Sequence, residues 1–334
     1  MEGAGRMENI ILVPLPLSDS QKLKLEAAAP GWQFIYAERS HVDPEDLRRA
    51  QIIIGNLAPE AFAKAENLKF LQLSSAGADA YVKPGVLPEG TILTNATGAY
   101  DRPVAEYAFA AVLMLMKKFH LYRDNQNRSE WIKEGRVRSL SESVVLIAGL
   151  GNIGLCLARM LKAAGAEVIG IRRHASEPPA YVDRLYVEGE IDSVLPEADV
   201  VISILPSTEE TRNFFDRNRF AQMQKGTIFV NAGRGDAVDE SALLQALRSR
   251  HLEAAAIDVT EQEPLPADSP LWQEPNLFIT PHVAGGFNLI TDCHQSYTLN
   301  KVTEIAADNL RAFLAGGPMR NLVDFSTGYC RKQD

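Results

Sequence analysis

Three ionisable side chains in the second half of the sequence have types that could act together on a carbonyl compound. Arg234 lies between two glycines in NAGRGD, Glu263 lies in EQEPLP, and His282 lies in TPHVAGG. A guanidinium can grip a carboxylate through two parallel hydrogen bonds. A carboxylate beside an imidazole favours the protonated ring and fixes one tautomer, which gives an acid for a developing oxyanion. Taken singly, the arginine could be a solvated loop residue and the histidine a structural one. Each of the three residues follows an apolar segment, however. This shared placement favours a role in catalysis over a purely structural one.

A glycine-rich stretch follows another apolar segment, at residues 144–148. Gly149, Gly151 and Gly154 have the spacing G-x-G-x-x-G, and a helix-like apolar pattern continues after them. The first glycine permits a tight turn, the second lets the backbone approach a pyrophosphate, and the third allows close packing of helix on strand. Free N–H groups at the helix start would face the phosphates. The motif alone is weak, but its place between a strand and a helix predicts nucleotide binding.

Short apolar segments alternate with helix-like segments along the chain, which predicts parallel sheets covered on both faces. The first helix-like segment is 18–29, where Ser18 or Asp19 could cap. The predicted strands are 10–13, 34–37, 52–54, 70–73 and 92–94 in a first series, and 144–148, 168–171, 200–205, 227–231, 254–258 and 277–279 in a second. Six strands in the second series fit a complete dinucleotide-binding domain. The fold class is therefore α/β, with two doubly wound parallel-sheet domains.

Two further segments predict long helices. Residues 104–119 are apolar nearly all round, so this helix must be covered on several sides, either between domains or at a subunit interface. We therefore expect a homodimer. Residues 289–314 predict a helix that the Gly316–Gly317–Pro318 sequence stops. The final segment, 321–329, is expected to pack on the first domain.

The composition excludes several classes of partner. The chain is 46% hydrophobic and 23% charged, with a net charge of −9, and has no basic stripe, so nucleic acid is not expected as a partner. The longest apolar stretch, 107–116, is too short to span a bilayer. No charged-then-apolar leader opens the sequence, so we expect a cytoplasmic protein.

The three cysteines, Cys156, Cys293 and Cys330, are far apart in the sequence, which is typical of reduced thiols. Cys293 next to His294 could suggest a nucleophile or a metal ligand, but an incidental pair on a helix is the preferred interpretation. Neither a C-x-x-C nor an H-x-x-x-H pattern occurs, so no metal site is predicted.

These motifs together resemble the D-isomer-specific 2-hydroxyacid dehydrogenase family. Its members share GLGNIG, NAGRGDAVDE, DVTEQEPL and TPHVAGG in this order and with comparable spacing, and the early LSSAGAD and VAEYA segments match too. The resemblance covers nearly the whole chain. It implies a Rossmann cofactor domain at residues 102–299, inserted in a flavodoxin-like substrate domain formed by residues 1–101 and 300–334. It also implies an active site in the cleft between the two.

The resemblance assigns roles to individual residues. Arg234 would bind the substrate carboxylate and carbonyl, His282 would be the general acid and base, and Glu263 its partner. The residues that bind the substrate carboxylate through backbone N–H groups would be Ala76 and Gly77. Tyr100 and Arg102 stand near the domain crossing, where contact with the substrate and packing at the hinge both remain open.

The resemblance also implies a set of cofactor residues, with one departure. They would be Asn152 and Ile153 at the pyrophosphate, with Pro206, Thr211, Ala232 and Asp258 along the nucleotide and nicotinamide. NAD-using members mostly carry an aspartate where this chain has Arg172, which is followed by Arg173. An arginine cannot accept from ribose hydroxyls but pairs well with a 2′-phosphate, which predicts NADP. NAD remains open if both arginines face solvent.

The leading hypothesis is therefore an NADP(H)-linked 2-oxo acid reductase of the glyoxylate or hydroxypyruvate type. Hydride would move from the nicotinamide to C2, and His282 would protonate the oxygen. An alternative enzyme is a 3-phosphoglycerate dehydrogenase-like NAD enzyme, which would need cations for the substrate phosphate. An alternative of another class is a nucleotide-sensing interaction protein, like corepressors related to this family. A methyltransferase is disfavoured by Arg234, Glu263 and His282 occurring together.

Overall fold

The computed structural model describes residues 9–174, 177–286, 296–326, 328 and 330. The chain divides into two compact units: residues 1–100 with 287–334 form the first unit, and residues 101–286 form the second unit. Each unit is built around its own sheet. Within the described residues, no helix combines the length and the apolar character needed to cross a bilayer.

The elements follow the predicted alternation of strands and helices. The strands of the first unit are β1 (Ile10–Val13), β2 (Gln33–Tyr36), β3 (Ile52–Ile54), β4 (Phe70–Gln72) and β5 (Ile92–Thr94). The strands of the second unit are β6 (Val144–Ala148), β7 (Glu167–Arg172), β8 (Arg184–Val187), β9 (Val200–Ser203), β10 (Thr227–Asn231), β11 (Leu252–Ile257) and β12 (Leu277–Ile279). The helices are α1 (Asp19–Glu26), α2 (Pro44–Arg49), α3 (Asp101–Met116), α4 (Phe119–Asn127), α5 (Asn152–Ala163), α6 (Ile191–Val194), α7 (Arg217–Gln222), α8 (Glu240–Arg248) and α9 (Tyr297–Ala315).

Both sheets are parallel throughout. The first has the order β2-β1-β3-β4-β5. The second has the order β12-β11-β10-β9-β6-β7-β8. In both orders the chain starts near the middle of the sheet and winds outward in two directions, so the predicted fold class is confirmed.

Burial of both sheet faces explains why the strands read as continuous apolar runs. In β6, Leu146 and Ala148 belong to a core cluster on one face, whereas Val145 and Ile147 belong to a cluster on the other. Successive side chains of a strand point to opposite faces, so each apolar residue of the run fills one of the two cores. The first unit shows the same division into two clusters.

The second sheet has one strand more than the six predicted. The additional strand, β8, has the sequence RLYV, and its four residues are only partly buried. It lies at the sheet edge and pairs with β7 alone. An edge strand needs no uninterrupted apolar run, so the pattern that identified the other strands did not reveal this one.

The apolar helix predicted at residues 104–119 is confirmed as α3 over most of its length, but it ends three residues earlier. Helix α3 ends at Met116 and α4 begins at Phe119. Between them Lys118 has a φ of 59°, a left-handed conformation that ends the first helix without a glycine to mark it. Helix α3 packs against α5 through small buried side chains. Burial of α3 within the second unit therefore explains much of the apolar character of this helix. Those side chains are Ala105, Ala108, Ala111 and Val112.

Helix α9 completes the core of the first unit. Its N-cap is Ser296, and Gly316 ends it with a φ of 66°. Leu299, in its first turn, belongs to a core cluster of the first unit. The predicted domain boundary between residues 299 and 300 thus falls inside this helix, whereas the second unit ends at Gly286.

The last described residues return to the first sheet, as predicted. Leu322 forms an antiparallel bridge with Thr94 at the end of β5. The predicted start of the long helix, residues 289–295, lies outside the described residues, and so do Cys293 and His294.

A buried polar group joins α9 to the first sheet. Oε1 of Gln72 accepts from Thr94 Oγ1 and from Asn309 Nδ2, both at 2.7 Å. None of these three side chains is more than 1% exposed. Gln72 Nε2 donates to the carbonyl of Leu73, and Asn309 Oδ1 accepts from the N–H of Arg320. Because the buried polar groups find partners, the cluster specifies one position of α9 on the sheet.

Candidate active site

The three side chains singled out in the sequence follow three adjacent strands of the second sheet. Arg234 follows β10, Glu263 follows β11 and His282 follows β12. These strands are neighbours in the sheet and run parallel, so their carboxyl ends meet at one edge. That edge is where open α/β sheets bind ligands.

His282 and Glu263 form a hydrogen-bonded pair. The Nδ1 atom of His282 lies 2.8 Å from Oε2 of Glu263, and the two side chains are 51% and 39% exposed. The other carboxylate oxygen of Glu263 accepts from the N–H of Thr260 at 3.2 Å. Glu263 is thereby anchored to its own loop while it holds the imidazole ring. The pair leaves Nε2 of His282 as the ring atom that can face a reactant.

The turn that carries His282 is held by Asp258. His282 itself has a φ of 54°, which a residue with a side chain seldom adopts. Asp258 Oδ1 accepts from Thr280 Oγ1 at 2.6 Å and from the N–H of Val283 at 2.8 Å, and Oδ2 accepts from the N–H of Ala284 at 2.8 Å. The carbonyl of Asp258 accepts from the N–H of His282 at 2.7 Å. Asp258 is therefore part of the scaffold of this turn, and its expected contact with the cofactor stays a prediction.

The glycines beside Arg234 are required by close backbone contacts. A Cβ atom on Gly233 would lie 2.4 Å from the carbonyl oxygen of Leu205, and one on Gly235 would lie 2.0 Å from the backbone of Thr260. Both distances are far below a normal contact. The loop of Arg234 is thus pressed directly against the loop that carries Glu263.

Asn231, which the sequence analysis did not single out, organises the same loop. Its Nδ2 atom donates to the carbonyl of Arg234 at 2.9 Å, and its Oδ1 atom accepts from the N–H of Gly233 at 3.1 Å. An asparagine at a strand end often accepts from the backbone N–H two residues later, so this role was detectable. The neighbouring Ala232, predicted at the nucleotide, donates its N–H to Ser203 at the end of β9.

The glycine-rich turn between β6 and α5 has the shape that a dinucleotide requires. Gly149 has a φ of 104°, and a Cβ atom on Gly154 would lie 2.2 Å from the carbonyl oxygen of Gly149. A Cβ on Gly151 would meet nothing within 4 Å, so the backbone there is open to a ligand. Helix α5 begins at Asn152 and Ile153 without a side-chain cap. Its first N–H groups are suited to a pyrophosphate.

Arg172 is the last residue of β7, and Arg173 follows it outside the strand. The guanidinium of Arg173 lies 3.6 Å from the carboxylate of Glu210, and both side chains are more than 60% exposed. The pKa of Glu210 is lowered, mainly by hydrogen bonds from its own backbone and Thr208, with a smaller effect from Arg173. The two arginines therefore differ in exposure: Arg172 is half-buried, whereas Arg173 is exposed.

The loop after β9 is fixed by its own hydroxyl groups. Thr211 Oγ1 donates to the carbonyl of Pro206 at 2.6 Å and accepts from the N–H of Thr208 at 2.8 Å. Thr211 is 5% exposed, so its side chain shapes this loop from inside. Ser207 donates to Asp236 at 2.5 Å, a link between this loop and that of Arg234 that the sequence did not reveal.

In the first unit, polar side chains hold the predicted substrate loop after β4. Asn95 Nδ2 donates to the carbonyl of Ala76 at 2.6 Å, and the Tyr100 hydroxyl donates to the carbonyl of Ser74 at 2.5 Å. Burial raises the pKa of Tyr100 to about 12, so its hydroxyl keeps its proton. Within the described part of the chain, the N–H groups of Ala76 and Gly77 have no protein acceptor. Tyr100 was predicted to face the substrate or the hinge, and its hydroxyl supports this loop.

Arg102 belongs to the second unit, at the start of α3. Its Nε atom lies 2.6 Å from the carboxylate of Glu106, and the side chain is 63% exposed. Among the described residues, no cluster of three or more His, Cys, Asp or Glu side chains is placed to hold a metal ion.

Comparison with known proteins identifies the family. The model of the NAD-binding domain of D-isomer specific 2-hydroxyacid dehydrogenases matches residues 109–284. The glyoxylate/hydroxypyruvate reductase B of Citrobacter koseri is 33% identical over 267 residues, which are 78% of this chain and 79% of the relative.

Solved structures agree with that match. A D-isomer specific 2-hydroxyacid dehydrogenase family protein from Aeromonas salmonicida has a TM-score of 0.83 and 33% identity, covering 95% of this chain and 99% of its own. A D-isomer specific 2-hydroxyacid dehydrogenase from Xanthobacter autotrophicus, in complex with NADPH and MES, has a TM-score of 0.78 and 29% identity, covering 96% and 100%.

The chain belongs to the D-isomer specific 2-hydroxyacid dehydrogenase family. It is an NAD(P)-dependent oxidoreductase that acts on a CH–OH group or on the corresponding carbonyl. The family, the fold and the class of reaction predicted from the sequence are confirmed.

The close contact at Gly235 provides a test of how the site is held. We expect Gly235→Ala to displace the loop of Thr260 and Glu263, because the added methyl group has no space. Overpacking of this kind typically costs about 1–3 kcal/mol. The Tm, measured by differential scanning calorimetry, and kcat should both fall. Gly189→Ala is the matched control, since a Cβ there meets nothing within 4 Å. Wild-type Tm and kcat for Gly235→Ala would contradict the proposed contact.

Proposed function

We propose that the chain reduces small 2-oxo acids with NADPH, with glyoxylate or hydroxypyruvate as the type of substrate and a D-2-hydroxy acid as the product where C2 is chiral. The observation that carries the proposal is the His282–Glu263 pair on the sheet edge where Arg234 also lies. The name of the Citrobacter koseri relative supports the substrate class. The NADPH complex of the Xanthobacter autotrophicus relative supports the cofactor.

The side chains of the second unit have separate tasks in this reaction. Arg234 binds the substrate carboxylate with its fork and polarises the 2-oxo group. Glu263 holds the ring of His282 and stabilises its charged form, and His282 delivers a proton from Nε2 to the substrate oxygen. The chemistry that the reduced nicotinamide supplies when bound is donation of a hydride to C2. Hydride and proton together convert C=O into CH–OH.

The first unit is proposed to add backbone donors. The side chains of Asn95 and Tyr100 bind the carbonyl side of the loop at residues 74–77, which leaves the N–H groups of Ala76 and Gly77 for a ligand. Consecutive N–H groups in a turn form an anion-binding concavity. The carboxylate of the 2-oxo acid is the ligand that fits them.

The role of His282 is tested by His282→Gln. We expect kcat for glyoxylate or hydroxypyruvate to fall by ~10²–10⁴-fold, because proton delivery is lost. The affinity for NADPH, measured by fluorescence titration, should not change. His41→Gln, which alters an exposed histidine of the first unit, should behave like the wild type. A His282→Gln enzyme with wild-type kcat would remove the histidine from the mechanism. If the wild type turned over no 2-oxo acid with either cofactor, the proposal would fail in favour of a nucleotide-sensing protein.

We propose that Arg172 recognises the 2′-phosphate of NADPH. It ends the strand that follows the nucleotide-binding helix, where the adenosine ribose binds in folds of this type. Arg173 lies beyond the end of the strand, and its guanidinium is drawn toward the carboxylate of Glu210. Arg172 is therefore the stronger candidate of the two.

Exchanging the charge at this position should exchange the cofactor preference. A charge-assisted hydrogen bond is worth roughly 1.5–3 kcal/mol, which corresponds to about tenfold or more in kcat/KM for NADPH over NADH. Arg172→Asp should reverse the order, because the carboxylate repels a phosphate and accepts from ribose hydroxyls. Arg173→Asp is the comparison and should have the smaller effect. The test is a steady-state measurement of kcat/KM with each cofactor. A wild type that uses NADH as well as NADPH would contradict the role assigned to Arg172.

We also propose a cytoplasmic homodimer that pairs through the second unit. The location is supported by Cys156 and Cys330, which are free thiols. The second unit carries Phe119, Trp131 and Trp272 with side chains between 49% and 104% exposed. Phe119 and Trp272 line the same concave surface, and a contiguous exposed apolar patch is a feature that marks interfaces.

Sedimentation velocity at micromolar concentration tests the dimer. We expect a single species with twice the chain mass. Trp131→Glu should shift it toward monomer, because a charge would be buried in the interface. Leu23→Glu alters an equally apolar residue that is 64% exposed on the first unit, and should leave the dimer intact. A monomeric wild type would reject the proposal.

A further inference from the structure

We propose that Tyr107 and Thr280 are positioning residues for His282, which they hold in place through the carboxylate of Asp258. The inference rests on the proposed role of His282 as the proton donor. It concerns a line of hydrogen bonds within the second unit, from helix α3 to the turn after β12.

The line has a defined direction. The hydroxyl of Tyr107 and Oγ1 of Thr280 are 2.6 Å apart, and Thr280 Oγ1 is 2.6 Å from Oδ1 of Asp258. A carboxylate oxygen only accepts, so the single proton of the Thr280 hydroxyl goes to Asp258. The Tyr107 hydroxyl must then donate to Thr280. Each donor polarises the next group, which strengthens the line as a whole.

Tyr107 is suited to be a permanent donor at the start of this line. Burial is the main cause that raises the pKa of its hydroxyl to about 12, and the charge of Asp258 acts in the same direction. The hydroxyl therefore keeps its proton at any pH at which the enzyme works. Tyr107 also lies on α3, a helix packed against α5 and the sheet, so the line starts from a rigid element.

The other end of this line of hydrogen bonds is the turn that carries His282, whose strained backbone must be stabilised. His282 holds a left-handed conformation that costs free energy in a residue with a side chain. The turn is kept there by bonds from Val283 and Ala284 to the two oxygens of Asp258. Those bonds require one rotation of the carboxylate, and the Thr280 hydroxyl, oriented by Tyr107, fixes that rotation.

The consequence for catalysis lies in the His282–Glu263 bond. His282 belongs to the turn held by Asp258, whereas Glu263 is anchored separately to Thr260. If the turn becomes more mobile, the 2.8 Å hydrogen bond between His282 and Glu263 is the contact that lengthens or breaks. The imidazole then loses both its orientation toward the substrate and the carboxylate that stabilises its charge.

The test uses Tyr107→Phe, Thr280→Val and their double variant, with Thr280→Ser as the conservative rescue. We expect Tyr107→Phe and Thr280→Val to lower kcat by up to about a hundredfold, the loss that a small misplacement can cause. The alkaline limb of the pH profile of kcat/KM should move to lower pH, because the charged imidazole is less well stabilised. Thr280→Ser keeps the hydroxyl and should restore both values.

Two features separate positioning from a general loss of structure. The double variant should be no slower than Thr280→Val alone, because removal of Thr280 already breaks the line. The affinity for NADPH in a fluorescence titration should stay at the wild-type value. Tyr122→Phe is the matched control. Its hydroxyl lies on α4 of the same unit and accepts from the N–H of Glu134, so its loss should leave kcat and the pH profile unchanged.

Several outcomes would overturn the inference. It is rejected if Thr280→Val leaves both kcat and the alkaline limb of the pH profile unchanged, or if the losses multiply in the double variant. It is also rejected if the variants lower Tm and kcat without moving the alkaline limb. His282→Gln, measured beside them, separates this failure from failure of the proposed function. If His282→Gln is inactive while the Tyr107 and Thr280 variants behave as wild type, only the positioning role is lost. An active His282→Gln would instead remove the proton donor on which the inference rests.

Discussion

Parallel pairing of β10, β11 and β12 is the constraint on which the site depends. Parallel strands align their carboxyl ends, so the residues that follow them share one edge although helices and loops separate them in the sequence. Arg234, Glu263 and His282 are brought together in this way. Antiparallel pairing of any one strand would send the residue that follows it to the opposite edge. The chemistry thus follows from the sheet, and the sheet from apolar runs buried on both faces.

A second layer of constraint comes from backbone contacts between the loops at that edge. Gly149, Gly233 and Gly235 each stand where a Cβ atom would come within 2.6 Å of a backbone atom of a neighbouring loop. Such contacts leave the loops little freedom to move separately. Side-chain hydrogen bonds then set the orientation of individual groups, as Asn231 does for the Arg234 loop and Asp258 for the His282 turn. The functional groups are half-exposed, but the groups that hold them are largely buried.

Most of the fold could be predicted from the sequence, because its elements leave local signals, and the same signals led to the proposed site residues. A buried parallel strand is an apolar run, and a tight turn needs its glycines. The strand β8 left no such signal, since it is a half-buried edge strand. The break at Lys118 lacked one too, because no glycine or proline stands there. Contacts between distant residues are harder still: Tyr107 and Thr280 are 173 positions apart, and no periodicity links them. The resemblance to a family proposes roles for Arg234, Glu263 and His282, whereas the contacts that hold them are seen only in the structure.

The buried bond between Gln72 and Asn309 has a consequence for how the protein is made. The two residues are 237 positions apart, and the whole second unit is encoded between them. At roughly 5–20 residues per second, the ribosome needs on the order of ten seconds or more to reach α9 after β4 has been translated. During that time one face of the first sheet lacks the helix that covers it, whereas the second unit, continuous in sequence, can already close its own core. The segment that is made before the second unit is therefore among the last to fold, and its apolar strands are the surface that a chaperone would meet on the growing chain.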